Sequence, residues 1–445
     1  MRVNWFSPLP PAKTGIAVLT DSLVPAFRKH AEVTFWTDQA QWDDRLAKEI
    51  EVRRFDPQWP PGPELNTADL NFYNIGNNPL FHGSIWQLSR RHSGIVVLHD
   101  FCLQDFFANL YLDQWGDPDE YCRLMERVYG EEGRRAALRL CRDGLEVVKE
   151  ISTLFPLTTL ALENALGAVV HHHAEPLALT GQPSFPIVCL PLPVSSRRDL
   201  QSAPVLERGA QEPYRLIIFG FLGKNRRLAP FLEAWAGIAE KSAFRLRVCG
   251  ALENSRPITS RIRELGLGDL VELTGYLSDE ALRAELAQAD LAVNLRYPTM
   301  GEASGSQLKL WEYALPALVT QIGWYASLPP ETVAFVRPEQ EIEDIRKHLR
   351  AFLQNPERFR EMGRQGWRTL KRDHTPDTYV RALVDLAAVA PEWGLRSTRL
   401  SMARRVGDDM ANWVTPAVRD VLSDRVAGTI WDIVGYTDSV LRAHA

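Results

Sequence analysis

The sequence predicts an α/β protein of two domains, each a parallel sheet covered by helices, facing a central cleft and followed by C-terminal helices. Three observations predict this. A chain of 445 residues is too long for one ordinary hydrophobic core. Short apolar runs alternate with segments of helical spacing in two successive series, the pattern of parallel strands joined by crossover helices. Between the two series, residues 196–213 are rich in Ser, Arg, Gln, Pro and Ala without apolar periodicity, and read as the linker.

In the first domain, residues 1–195, the strand candidates are Val3–Phe6, Glu32–Trp36, Leu70–Ile75, Gly94–Leu98, Ala168–Val170 and Ile187–Leu190, with a helix over Ala17–His30. The segment 101–155 is rich in Leu, Ala, Arg and Glu at helical spacing, so it reads as a helical insertion. Its Asp117-Pro-Asp119 triplet is expected to be a turn between helices, since Pro and Asp are turn residues. Ile151–Val170 approaches membrane-spanning length, but Pro156, Glu163, Asn164 and Gly167 interrupt it; the expectation is a buried helix feeding a strand at Gly167–Val170.

The second domain, residues 214–390, repeats the alternation. Strands are expected at Arg215–Phe219, Arg245–Gly250, Leu270–Thr274, Leu291–Leu295 and Ala317–Thr320, and helices at Phe231–Ala239, Ile258–Leu265, Glu280–Ala289 and Gln307–Ala314. Residues 391–445 form a C-terminal helical extension, with amphipathic helices at Met402–Trp413 and Pro416–Leu441; Pro416 suits a first helical turn. The leading expectation for 397–445 is packing against the body of the protein. The alternative is contact with a partner protein or a membrane surface, with Trp413 and Trp431 at the interface.

Composition narrows the classes. Hydrophobic residues at 45% and charged ones at 24% fit a soluble globular protein. A formal charge of -5 gives no global attraction to nucleic acid, and none is expected as a partner. The five cysteines are scattered without a C-x-x-C pair, which fits a reducing compartment and argues against a disulfide framework or cysteine zinc site. Met1 leads directly into a strand without a secretory signal, so the expected location is cytoplasmic, with peripheral attachment at the inner membrane face as the variant. The His171-His172-His173 run alternates faces on an extended chain and chelates poorly. No metal site is expected there; the run reads as a strand-end loop with His172 on the acceptor side.

Open parallel sheets bind ligands at the carboxyl ends of their strands. Leu216–Leu228 is a buried strand, then a loop with Gly220 and a basic cluster, then a helix; Lys224, Arg226 and Arg227 are the candidates for neutralising a phosphate, or else form a solvated basic turn. Tyr297–Pro316 follows the strand Leu291–Leu295. There Gly301, Ser304, Gly305 and Ser306 would expose the amides of a helix N-terminus, an anion site by geometry and dipole. Glu302 on the loop is placed to touch a sugar hydroxyl, and Glu312 on the helix to accept from a ribose diol. His99 ends a strand, with Asp100 beside it to fix its tautomer or cap the next helix. In Thr274–Glu280, Tyr276 and Leu277 would sandwich a base, unless the segment is simply a helix start capped by Ser278.

The segment Glu312-Tyr-Ala-Leu-Pro-Ala-Leu-Val319 resembles the second half of the acidic motif of family-four retaining glycosyltransferases, which have the GT-B fold of two Rossmann-like domains. Their usual pattern places seven residues between two glutamates. Here the first half departs from it: Glu302 and Glu312 have nine between them, and an ungapped match puts Ser304 at the first acidic position. A bacterial branch carries a similar Gly-Glu-Thr/Ala-Ser form, which assigns the acidic role to Glu302. Asn4–Ala17 is similar to the family's opening strand and Gly-rich loop, with Thr14 and Gly15 facing acceptor and donor pyrophosphate. Phe219–Leu228 is similar to its diphosphate loop: Arg226 takes the Lys position, while Phe221 stands where the family has Arg.

The resemblance implies metal-independent transfer of a sugar, with retention, from a nucleoside diphosphate donor to a glycan or lipid-linked hydroxyl acceptor. No cofactor is implied beyond that substrate. Catalytic roles fall on His99, Arg226 and Glu302. The alternatives are a sugar-nucleotide epimerase or inverting transferase, and a catalytically silent subunit that binds a partner or glycan.

Overall fold

Val3, Trp5 and Phe6 are buried with Asn4 in β1 (Arg2–Phe6), because a strand at the centre of a parallel sheet is covered on both faces. In the computed structural model, which describes residues 1–59, 62–144, 151–172, 186–195 and 212–390, β1 pairs in parallel with β2 (Glu32–Thr37) and β4 (Leu70–Ile75). The sheet is completed by β3 (Glu51–Arg54), β5 (Ile95–Leu98), β6 (Gly167–Val170) and β7 (Ile187–Cys189), in the order β3-β2-β1-β4-β5-β6-β7. This is a doubly wound Rossmann-like arrangement whose order reverses beside β1, so the carboxyl ends of β1 and β4 flank a crevice.

A second all-parallel sheet has the order β10-β9-β8-β11-β12-β13. Its strands are β8 (Tyr214–Phe219), β9 (Phe244–Cys249), β10 (Val271–Gly275), β11 (Leu291–Asn294), β12 (Ala317–Thr320) and β13 (Ala334–Val336). Leu216, Ile218, Phe231, Trp235, Leu246 and Val293 belong to the core on one face; Ile217, Leu308, Trp311 and Val319 belong to the core on the other. Both sheets lie within one compact unit, Met1–Asp385. Beyond Asp373 the chain returns to the first domain: Val194 N donates to His374 O at 2.9 Å, and Asp377 receives Lys29 Nζ at 2.8 Å.

Three expectations need correction. Glu51–Arg54 and Ala334–Val336 are strands that apolar patterning does not announce. The expected buried helix in Ile151–Val170 is reduced to Ile151 and the single turn Thr158–Ala161, with Leu157 (φ 55°) and Asn164 (φ 62°) left-handed on either side of that turn. The insertion is otherwise helical where described, Asp117 capping the helix Pro118–Asp143 through its contact with Glu120 N. The linker at 196–213, but for its last two residues, and the extension at 391–445 lie outside the described residues. Among the described residues, no helix is long and apolar enough to cross a membrane.

Candidate active site

The second domain builds a cradle at the carboxyl ends of β8 and β11. After β8 the chain turns at Gly220, whose φ of 104° excludes a side chain at low cost. A 3-10 turn, Lys224–Arg226, follows, and Arg227 begins the helix Leu228–Ala236. Arg226 folds back over Gly220: its Nη1 donates to Asn294 Oδ1 at 3.1 Å and its Nη2 lies 3.4 Å from Ser306 Oγ. Asn294 Nδ2 donates to Gln307 Oε1 at 3.0 Å, while Gln307 Nε2 is buried without a partner. Arg226 thus hydrogen-bonds neutral groups and forms no ion pair among the described residues. Burial, and then the neighbouring Arg296, lower its pKa to about 10.

The helix Gly305–Glu312 starts in this cradle. Ser304 is its N-cap, accepting from Gln307 N at 3.1 Å, so the amides of Gly305 and Ser306 remain as the first-turn donors without intrahelical acceptors. Glu312 closes the same helix. Its surroundings are rigid, since the helix Pro356–Asp373 approaches Trp311 and Ala314 at Gly366 and Gly363 with no room for a Cβ.

The loop between β11 and that helix carries Glu302. Its Oε2 accepts from Thr299 Oγ1 at 2.9 Å and Met300 N at 2.8 Å, and its Oε1 is 3.3 Å from Arg296 Nη1. The carboxylate therefore braces its own loop, with lone-pair capacity left on Oε1. Arg227 is held elsewhere: its guanidinium forms a two-pronged pair with buried Glu341, Nε to Oε1 at 3.0 Å and Nη2 to Oε2 at 2.5 Å. Lys224 is exposed.

The first domain brings its strand ends to the same place. Phe101 N and Cys102 N both donate to Met300 O, at 3.0 and 2.8 Å. Just before them stand His99 and Asp100. His99 Nε2 is 2.9 Å from Asn74 Oδ1, and its ring centroid is 5.1 Å from that of His171. Burial, with His171 and His82 nearby, holds its pKa well below the ordinary histidine value. Asp100 neither fixes that tautomer nor caps the next helix, contrary to expectation. Its Oδ2 accepts from Asn77 N at 2.8 Å, and burial reinforced by Glu302 raises its pKa to about 7.

Of the remaining expected site residues, Thr14 caps the helix Gly15–His30, accepting from Ile16 N at 3.4 Å, and open space surrounds Gly15. His172 is buried at 5% exposure beside His171, and His173 lies outside the described residues. Tyr276 is exposed while Leu277 packs against the second domain's core; Ser278 caps the helix Asp279–Gln288, accepting from Ala281 N at 3.2 Å. Arg226, Ser304–Ser306, Glu302 and His99 come together with Asp100; Arg227, Tyr276 and His172 do not join them. The residues that sequence reasoning missed are Asn74, Asn294, Arg296 and Gln307. One signal was available: Asn294 is a polar residue closing an apolar strand, where a buried amide needs partners.

Two Rossmann-like domains, each a parallel sheet covered by helices, constitute the GT-B fold. Residues 207–368 match the family model for glycosyl transferases group 1. HepE of Anabaena, solved with UDP and glucose, is similar over 87% of this chain and 99% of its own, at 13% identity and a TM-score of 0.59. Sucrose-phosphate synthase from Thermosynechococcus elongatus is similar over 91% and 100%, at 17% identity and 0.56. WaaG, a glycosyltransferase involved in lipopolysaccharide biosynthesis, is similar over 86% and 99%, at 12% identity and 0.54. At these identities the likeness establishes the fold. No curated protein matches the chain in sequence.

Proposed function

We propose that this protein is a retaining glycosyltransferase that moves a sugar from a nucleoside diphosphate to a hydroxyl of a glycan or lipid-linked acceptor, in polysaccharide or glycan biosynthesis. The observation that carries the reading is Arg226, a largely buried guanidinium without a carboxylate partner among the described residues, beside the first turn of a helix. A buried cation is costly unless an anion pairs with it, and a diphosphate supplies that anion. The amides of Gly305 and Ser306 and the unpartnered Gln307 Nε2 offer further donors. Glu312 supports the ribose role, since the helix dipole disfavours an acid in a last turn.

In the proposed step the bond from the anomeric carbon to the diphosphate oxygen breaks, and the acceptor oxygen bonds to the same face of that carbon. The acceptor proton passes to the departing phosphate oxygen. Arg226 and the helix amides stabilise the charge growing on the leaving group, which makes the transfer metal-independent. UDP, with a glucose donor, is the first candidate, because a structural neighbour binds UDP and glucose.

Calorimetry with UDP-, GDP- and dTDP-sugars, followed by NMR of the product linkage in the presence of EDTA, tests this reading. A bound nucleotide sugar and a product of retained anomeric configuration are expected. An inverted linkage or an epimerised donor overturns the stereochemical part. Absence of binding by any of the three, in the folded protein, overturns the reading and leaves a silent subunit.

A further inference from the structure

We propose that Asn74 is a positioning residue that fixes His99 as the tautomer protonated on Nε2, leaving Nδ1 as a permanent hydrogen-bond acceptor for a substrate hydroxyl. This rests on the glycosyl-transfer reading for the identity of the ligand, but the tautomer follows from hydrogen bonds alone.

Asn74 is the penultimate residue of β4, the strand between β1 and β5, and is fully buried. Its side chain bridges the carboxyl ends of both neighbours. Nδ2 donates to Phe6 O of β1 at 2.9 Å, and Oδ1 lies 2.9 Å from Nε2 of His99, which follows β5. A backbone carbonyl only accepts, so reversing the amide would set two oxygens against each other. Oδ1 therefore stays toward His99. An amide oxygen cannot donate, so Nε2 must carry the proton, and a neutral ring then has its lone pair on Nδ1.

The surroundings maintain the neutral form. Burial opposes a second proton, and the rings of His171 and His82 add to that opposition. His82 is itself oriented by the same residue, its Nδ1 facing Asn74 O at 3.0 Å. Among the described residues nothing hydrogen-bonds to His99 Nδ1. Two consequences follow. His99 does not act as a general acid, and the ligand group it meets must be a donor, which selects a hydroxyl over a phosphate or carboxylate oxygen.

Long-range proton–nitrogen NMR of the full chain with 15N-labelled histidine reads the tautomer directly, with His99 assigned by its loss in His99→Asn. A protonated Nε2 and bare Nδ1 at neutral pH are expected in the wild-type protein, and a mixture of tautomers in Asn74→Ala. In that variant kcat should fall at least about tenfold, the worth of one well-made hydrogen bond. A second pair of variants separates an acceptor role from packing. The amide oxygen of His99→Asn can occupy the Nδ1 position, whereas the amide of His99→Gln reaches toward Nε2; transfer should survive better in the former. A proton on Nδ1, an imidazolium, or better activity in His99→Gln overturns the proposal. Should the wild-type protein transfer no sugar, the NMR result still decides the role of Asn74, while the glycosyl-transfer reading fails separately.

Discussion

The guanidinium of Arg226 lies 3.4 Å from the hydroxyl of Ser306, so a partly buried cation and the first turn of the helix Gly305–Glu312 meet at one point. Arg226→Gln removes the charge while leaving an amide to donate to Asn294 Oδ1. Charge-assisted hydrogen bonds are worth roughly 1.5–3 kcal/mol, so nucleotide affinity measured by calorimetry should fall about 10- to 100-fold. The melting temperature should move little. Unchanged affinity would sink the phosphate role.

Arg227 tests the opposite case. Its removal in Arg227→Ala strands the buried carboxylate of Glu341. Denaturant unfolding should show a loss of about 2 kcal/mol, less than the ~3–5 kcal/mol of a fully buried pair because Arg227 stays partly exposed. Donor affinity of the folded variant should change less than threefold. A larger loss of affinity with intact stability would return Arg227 to the phosphate site.

Asp100 makes stability depend on pH. Its pKa of about 7 in the folded protein exceeds the ~3.9 of an unfolded aspartate, so the folded state holds the extra proton between those values. Stability from this group is fully present below about pH 4 and is lost as pH rises through about 7. Asp100→Asn, which still accepts from Asn77 N, should lose less stability between pH 5 and 8 than the wild-type protein. Equal losses of unfolding free energy between the two pH values in wild type and variant, measured by urea titration, would exclude this role for Asp100.

Gly363 faces Ala314 so closely that a Cβ would sit 1.9 Å from its carbonyl oxygen. Gly363→Ala should destabilise by about 1–3 kcal/mol, the usual cost of overpacking. Because Glu312 lies next to that contact, nucleotide affinity should fall as well. A variant of wild-type stability would show that the two helices separate more readily than their contact implies.

The sequence made the central strands legible because parallel strands buried on both faces are continuous apolar runs; β12 was read to the residue. Of the four edge strands, β7 and β10 are legible and β3 and β13 are not. Glu51-Val-Arg-Arg54 pairs on one side only and keeps polar side chains, while Ala334–Val336 is too short to show a pattern. In Ile151–Val170 the turn tendency of Pro156 and Asn164 prevails over an apolar composition that suits a helix. At the site, His99 and Arg226 were recognisable from their places at strand ends. Asn74 was not, and Asn294 announced only a buried amide in need of partners, since what each amide bridges is distant in sequence. Glu302 shows the same limit. Its odd spacing gave no hint that both its oxygens are engaged within and beside its own loop.

The carbonyl of Met300 takes hydrogen bonds from two successive amides of the other domain, those of Phe101 and Cys102. Met300 also donates its own N–H to Glu302. One peptide neighbourhood thus fastens the domains and shapes the acidic loop at once. Substrate entry and product exit that require the two loops to part must stretch this clasp, and the tension falls directly on the residue holding Glu302. Access to the cleft and the geometry of its acidic loop are therefore not independent variables in this protein.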